Sequence, residues 1–205
     1  MSIFSRFWRN PEARSAPSQA RTSDPFLAEF FGFRGIGGAV TPETVLSNSS
    51  VAVRCIALRS ELLASVPRHV FRRTKDGGRD RARDLSLYGV LHDIANSAQS
   101  SFEFFELMIR CLDLQGNAYA RIERNTRGQV VALWPLLPGL VTVERLKSGR
   151  LRYKVSHERG ETETLLQEEV LHVRGPSRDG MVGLSPIAIA RGSLGLAMAQ
   201  RDTAT

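Results

Sequence analysis

The sequence has few of the residues that build metal sites or disulfide-rich domains. Its 205 residues include only two cysteines and four histidines, which are scattered and show no CxxC or HExxH spacing. Structural zinc needs ligands clustered at defined spacings, and small disulfide scaffolds need many more cysteines. Neither class is indicated, and we expect Cys55 and Cys111 to be buried free thiols in helices, as in a reducing compartment.

Long apolar runs and catalytic signatures are also missing. No segment approaches the length of a membrane span, and residues 1–10 contain no apolar stretch long enough for a secretory signal. The sequence contains no GxSxG, no Walker A motif and no GxGxxG after a predicted strand. No cofactor is expected, and a scaffold is a better interpretation than an enzyme.

Lysine is scarce, since only three of the 28 basic residues are lysine and the others are arginine. The net charge is +7 and the sequence pI is about 10.2. Such a surface favours contact with a polyanion such as nucleic acid. A coding bias in a GC-rich genome explains the arginine excess equally well, so both explanations stay open.

Capping residues predict where the helices begin. Thr41-Pro42-Glu43 starts a first helix, Ser49 or Ser50 caps a second that ends near Ala64, and Ser185-Pro186 starts the last. Ser100 or Ser101 caps a wide apolar helix that Gly116 closes. The apolar stripes expected to face inward are Val51, Cys55, Leu58 and Leu62; Leu87, Val90, Leu91 and Ile94; Phe102, Phe105, Ile109 and Leu112, widened by Phe104, Met108 and Cys111; and Ile187, Ala190, Leu194, Ala197 and Met198.

Alternating patterns predict strands over 66–73 and through most of 117–174, which we interpret as an antiparallel meander. Residues 79–84 read as a charged loop. In the strand 117–124, Ala118 and Ala120 fall on one face, and their small size predicts a helix lying closely on it. The predicted fold class is therefore α+β, with helices packed on an antiparallel β meander.

Two weak candidates for chemistry remain. Cys111 and His172 would form a nucleophile pair only if folding brought them together. Glu123 and Glu144 would serve as paired carboxylates only if they met at strand ends, and basic neighbours explain each more simply. A structural role for His172 is the preferred interpretation.

The order of motifs is more specific than any one of them. The segments are TPE at 41–43, 51–71, 91–96, LQGNAYARI at 114–122, GQVVALWPLLPGLVTV at 128–143, Tyr153, VLHVRG at 170–175 and DGMVGLSPIAIAR at 179–191. In this order the chain resembles the portal (head–tail connector) proteins of tailed bacteriophages and gene transfer agents, over almost all of 41–201.

The resemblance implies a domain organisation and a set of structural motif residues. Residues 1–40 would be a flexible N-terminal arm, and 41–205 an α+β portal wing-type domain. Family members are roughly twice as long, so we expect a chain truncated before the stem, clip and channel region. The family-motif residues would be Gly116, Asn117, Tyr119, Trp134, Pro135, His172, Gly183, Ser185 and Pro186.

The resemblance also implies a function that is structural rather than enzymatic. Family members form a homo-oligomeric ring, usually dodecameric, at the capsid vertex of a virion, with assembly in the host cytoplasm or from a prophage. Double-stranded DNA passes through the ring during packaging and ejection, without sequence recognition. The partners would be further copies, the terminase large subunit, and the major capsid and head-completion proteins, with no cofactor and no membrane in the mature role. The alternatives are an unrelated basic nucleic-acid-binding module and a Cys–His hydrolase; the sequence does not assign the DNA-contacting arginines.

Overall fold

The computed structural model describes residues 40–157 and 160–203, so the predicted arm of residues 1–40 lies outside the described residues apart from Val40. In this part the chain forms six α-helices: α1 (Pro42–Asn48), α2 (Ser50–Ala64), α3 (Ser86–His92), α4 (Ser101–Gln115), α5 (Pro186–Ile189) and α6 (Arg191–Thr203). None of these six is long and apolar enough to cross a membrane.

Ten strands accompany the helices in the described ranges. They are β1 (Phe71–Arg73), β2 (Arg79–Arg81), β3 (Ile94–Asn96), β4 (Gln99–Ser100), β5 (Asn117–Arg124), β6 (Val130–Leu136), β7 (Val141–Arg145), β8 (Leu151–Ser156), β9 (Thr162–Leu166) and β10 (Val170–Arg174). They build two ribbons, β1–β2 and β3–β4, and two three-stranded sheets, β10–β5–β6 and β7–β8–β9. All pairings are antiparallel, so the α+β fold class is confirmed.

The predicted meander is divided into two sheets. Pro138–Leu140 forms a 3-10 turn after β6, and β10 returns to pair with β5 on its other side. Pro135 lies within β6, opposite Ala120. Because proline cannot donate to a ladder, such a strand belongs at the edge of a sheet, and the chain continues into a separate sheet at β7.

Local capping confirms the predicted helix starts. The Thr41 hydroxyl accepts from the Thr44 amide at 3.2 Å, and the Thr44 hydroxyl accepts from the Thr41 amide at 2.7 Å. Ser49 caps α2 through the Ala52 amide at 3.3 Å. Each contact satisfies an amide that the first helical turn leaves without a partner, so these boundaries are fixed by adjacent residues.

The main core lies between α4 and β5. Phe104 and Met108 are buried against Ala118 and Ala120, which confirms that the small strand residues admit a helix. The predicted stripe is displaced around the helix: Phe102 is 42% exposed, and Phe104 lies at the centre. The opposite face of the sheet covers a second core that includes Tyr119, Val143, Tyr153, Val155, Leu165 and Val170.

The face of α2 that was predicted to be buried is exposed. Val51, Leu58 and Leu62 are 73%, 47% and 59% exposed, and Cys55 is exposed as well. The helix instead buries Ser60 and Ala64, because a face of small residues lets it approach α4 more closely. The stripe expected in the core therefore lies on the outside, and Cys55 is not a buried thiol.

Other boundaries also differ from prediction. The strand expected from Val66 begins only at Phe71, because Arg68 reaches back to donate to the Leu63 and Ala64 carbonyls at 2.9 and 3.2 Å. The predicted charged loop contains β2 instead. Ile94 is 64% exposed because α3 has already ended at His92.

The last predicted helix is interrupted at Ala190, which separates α5 from α6. Ile187 is buried with Val40 and Val45, and Leu194 packs against them. Ala197, however, is exposed rather than inward.

Candidate functional site: a polar junction at Gly116 and Asn117

Gly116 closes α4 at a point where another part of the chain crosses it. Its φ is 72° and ψ is 1°, the left-handed conformation that glycine adopts without strain. Its carbonyl accepts from the Gly175 amide at 2.9 Å. A Cβ placed here would lie 2.1 Å from the Leu184 carbonyl oxygen, so both the backbone angle and the available space require glycine.

The segment that crosses Gly116 also requires a glycine, at position 183. A Cβ on Gly183 would lie 2.0 Å from the Gly116 oxygen and 2.8 Å from the Gly175 nitrogen. Gly183 also forms an antiparallel bridge with Ser177. The segment before α5 therefore lies directly on the α4–β5 connection, backbone against backbone.

Asn117 fastens this crossing with its side chain. Its Nδ2 donates to the Gly183 carbonyl at 2.9 Å and to the Gln115 carbonyl at 3.1 Å, while its Oδ1 accepts from the Gly183 amide at 2.7 Å. The residue is 8% exposed. A buried amide with its donors and acceptor satisfied acts as a structural cross-link, since each lost partner would leave a desolvated polar group.

Ser185 makes a second link to the same helix end. Its hydroxyl donates to the Leu114 carbonyl at 2.7 Å and accepts from the Ala188 amide at 3.2 Å. The first bond satisfies a carbonyl at the end of α4, and the second caps α5. We call Gly116, Asn117, His172, Gly183 and Ser185 together the junction.

His172 connects the junction to the second core. Its Nε2 lies 3.2 Å from the Asn117 Oδ1, and its Nδ1 lies 3.3 Å from the Tyr153 hydroxyl. Burial, aided by Arg174, lowers the pKa of His172 to about 4. The ring is therefore neutral near pH 7, and the network assigns its proton to Nε2, which donates to Asn117, while Nδ1 accepts from Tyr153.

The two neighbouring tyrosines are acids that stay protonated. Burial raises the pKa of Tyr119 and of Tyr153 above their usual range. The Tyr119 ring packs against His172, with centroids 4.3 Å apart. The junction thus consists of neutral, hydrogen-bonded groups, whose chemistry suits rigidity rather than proton transfer.

The predicted nucleophile pair does not form. Cys111 packs with the α4-facing core, whereas His172 pairs in register with Tyr119 and shares the opposite face of the sheet. Burial also raises the pKa of the Cys111 thiol, which disfavours the reactive thiolate.

The two candidate carboxylates are also separately occupied. Glu123 accepts from the Trp134 indole at 2.7 Å, and Glu144 pairs with Arg152 and Lys154. Within residues 40–157 and 160–203, no three His, Cys, Asp or Glu side chains are grouped to hold a metal.

The structure gathers most, but not all, of the motif residues. Gly116, Asn117, His172, Gly183 and Ser185 meet, with Tyr119 beside them and Pro186 at the first position of α5. Trp134 and Pro135 lie away from the junction, on β6.

Gly175 and Tyr153 contact the junction, the first at Gly116 and the second at His172, but were absent from the predicted set of site residues. Tyr153 and the VLHVRG segment that ends at Gly175 were among the motifs that carry the resemblance. Neither position gave a signal of contact with Gly116 or with His172.

Comparison with known proteins places this fold in a family. Residues 50–205 match the family model of the phage portal protein. The portal protein of Enterobacteria phage HK97 is 35% identical over 188 residues, which cover 91% of this chain and 43% of that protein.

Two solved particle necks share the fold. The neck of an empty gene transfer agent particle, computed with C6 symmetry, has a TM-score of 0.68 at 21% identity, covering 83% of this chain and 47% of that one. The neck of a native particle, computed with C12 symmetry, has a TM-score of 0.63 at 20% identity, covering 87% and 48%. The chain thus spans about half the length of the proteins it matches, and over that span it belongs to the phage portal protein family.

Proposed function

We propose that this chain is a structural subunit of a portal ring at the capsid vertex, through which DNA is packaged and ejected. The family match over residues 50–205 carries the proposal. The ring symmetry named for the two particle necks supports assembly from many copies. The terminase large subunit, the major capsid protein and head-completion proteins would dock on that ring in the virion, after assembly in the host cytoplasm.

The chemistry of the described residues agrees with a role that is not enzymatic. The junction is built from neutral groups that bond to one another, and the one candidate nucleophile is separated from its base by a sheet. Rigid scaffolds need such internally satisfied contacts, whereas catalysis needs groups aimed at a substrate. Because these contacts suit a rigid scaffold, we also propose that residues 41–205 form the wing-type α+β domain of the portal subunit.

The outer face of α2 is the proposed contact with a second copy. Val51, Cys55, Leu58 and Leu62 are spaced by four, three and four residues and are all exposed. This spacing forms one continuous apolar stripe, which a neighbouring subunit would remove from water. Burying each large side chain is worth about 1.5–3 kcal/mol, so several per interface would sustain a ring.

Electron microscopy of the natural gene product tests the proposal. We expect closed rings in a buffer that favours association, with sedimentation velocity showing a large species that grows with protein concentration. A monodisperse monomer at every protein and salt concentration would contradict it. Tight, salt-sensitive DNA binding by that monomer would instead support the alternative of an unrelated basic nucleic-acid-binding module.

A further inference from the structure

The β1–β2 ribbon sorts its charges onto two faces. The register pairs Phe71 with Arg81, Arg72 with Asp80, and Arg73 with Arg79. Because directly paired residues share a face and successive residues alternate, Arg73, Arg79 and Arg81 project from one side. We call these three residues the arginine face.

The acidic residues of the ribbon lie elsewhere. Asp80 shares the opposite side with Arg72, and Arg72 forms an ion pair with Asp84 at 2.7 Å. In the described part of the chain, no carboxylate forms an ion pair with any member of the arginine face. All six ribbon residues are exposed. Three positive charges therefore stand on one small, solvent-facing surface.

This arrangement is costly without a bound anion. Arg73 and Arg79 are direct cross-strand partners. Side chains so placed have Cβ atoms about 5 Å apart, and like charges in that position destabilise a strand pair. Arg81 lies one alternation further, roughly 7 Å along the strand. A single carboxylate would neutralise one of these charges, whereas a row of phosphates would neutralise all three.

A second copy of the chain is itself basic, with a net charge of +7, and several of its carboxylates are already paired. Glu163 is paired with Arg121, Glu168 with Arg150, and Glu144 with Arg152 and Lys154. A polynucleotide backbone presents regularly spaced anions, and guanidinium groups match phosphate geometry well. The net charge of +7 would draw the same partner from a distance.

We propose that the arginine face binds the phosphate backbone of duplex DNA without reading its sequence. Phe71, which is 50% exposed beside Arg81, would cover the apolar sugar edge. The inference rests on the proposed portal role for the source of the DNA, which would be the genome being packaged. The binding surface itself depends only on the ribbon.

Salt-dependent binding of the full chain to DNA tests the assignment. The probe is a fluorescein-labelled duplex, and anisotropy is followed in rising NaCl. The variant Arg73→Ser, Arg79→Ser, Arg81→Ser removes three charges from the ribbon. The control Arg127→Ser, Arg145→Ser, Arg178→Ser removes three exposed charges elsewhere. Three lost phosphate contacts should reduce the slope of log K against log salt by about 2.7, at roughly 0.9 per contact.

The control variant should change that slope by less than about 0.9, the value for one phosphate contact. Equal losses in the two variants, or unchanged binding in the ribbon variant, would overturn the assignment, provided that circular dichroism shows both folded. Loss of self-association with unchanged DNA binding would identify a second copy as the occupant instead. If the parent chain forms rings and the ribbon variant binds DNA as the parent does, only this inference is refuted. If the parent chain never forms rings but its DNA binding depends on the arginine face, only the portal role is refuted.

Discussion

The Asn117 side chain bonds to both backbone polar groups of Gly183, its amide and its carbonyl, although 66 residues separate the two. Its Nδ2 donates to the Gly183 carbonyl at 2.9 Å, and its Oδ1 accepts from the Gly183 amide at 2.7 Å. One side chain thus replaces the pair of bonds that two strands would exchange, and His172 makes a second contact to the Asn117 Oδ1.

Replacing Asn117 with leucine removes this link at nearly constant volume. Two half-buried backbone groups of Gly183 then lose their partners, and because water partly reaches them each costs about 1–1.5 kcal/mol, at the lower end of the usual range. We expect the free energy of unfolding to fall by about 2–3 kcal/mol in urea titrations. Gln129→Leu, at an exposed turn, should change it by less than about 0.5 kcal/mol; equal effects would show that Asn117 is not a cross-link.

The glycines separate the cost of backbone strain from the cost of a clash. Gly128 has a φ of 76° with open space around it, Gly183 has a clash at 2.0 Å without positive φ, and Gly116 has both. Alanine at Gly128 should cost about 1 kcal/mol, and at Gly183 about 2 kcal/mol or more. Gly116→Ala should be the most destabilising of the three, and it should lower protein solubility.

Gly139→Ala is the control for that series, because nothing lies within 4 Å of its added carbon and its φ is not positive. It should be neutral or slightly stabilising. If Gly116→Ala and Gly128→Ala have the same midpoint of urea denaturation, the close crossing at Leu184 does not exist.

Acid should destabilise the protein through His172. Its pKa is about 4 in the folded chain against 6.5 ordinarily, so below pH 6.5 the unfolded chain binds a proton that the folded chain refuses. Stability from this group is complete above pH 6.5 and is lost as the pH falls towards 4. The full shift is worth about 3 kcal/mol, and partial exposure reduces our expectation to about 1–2 kcal/mol.

His172→Gln isolates this contribution from the carboxylates that titrate in the same range. The variant's free energy of unfolding, measured by urea at successive pH values, should depend less steeply on pH between 6.5 and 4. His157→Gln removes an exposed histidine that lies 3.5 Å from the Glu163 carboxylate, and as the control it should change the slope less than His172→Gln does. If the free energy of unfolding of His172→Gln depends on pH as steeply as that of the parent, the folded state does not disfavour protonation of the buried ring.

Charges placed on the outer face of α2 should prevent association while sparing the fold. Leu58→Glu with Leu62→Glu puts two carboxylates on the exposed stripe. We expect sedimentation velocity to show the large species replaced by monomer, with the melting temperature within a few degrees of the parent. Leu137→Glu with Leu166→Glu alters exposed leucines elsewhere and should assemble normally; if both pairs assemble alike, α2 is not the contact.

The two thiols should differ in their reactivity. Cys55 is exposed, whereas Cys111 is partly buried and burial raises the pKa of its thiol. At neutral pH in native buffer, mass spectrometry of the monomeric Leu58→Glu, Leu62→Glu variant should find one maleimide per chain, on Cys55, and two after unfolding in urea. Modification of both cysteines at similar native rates would place Cys111 outside the core.

The features that sequence predicts well are those determined by neighbouring residues. Thr41 and Ser49 begin helices because their hydroxyls reach amides three residues away. Ala118 and Ala120 predict a helix close to the sheet because their small side chains let it approach.

The features that sequence predicts poorly depend on distant contacts. Periodicity shows that Leu58 and Leu62 share a face, but it does not show whether that face meets the chain's own core or solvent. The bond of Asn117 to Gly183 and the return of β10 to β5 join segments far apart along the chain. No local pattern in the sequence predicts these contacts. Only the order of the motifs indicated that these segments are part of one fold.

The crossing at Gly116 has a consequence for how this architecture tolerates change. Because Asn117 and Gly183 meet, the chain enters and leaves both three-stranded sheets at one place. The intervening segment is thus a loop closed at its base, with β5 fixed against α4 by the main core. Doubling the length of a flexible closed loop costs only about 0.6 kcal/mol, so its hairpins are free to lengthen or shorten among relatives while the helices beneath keep their positions.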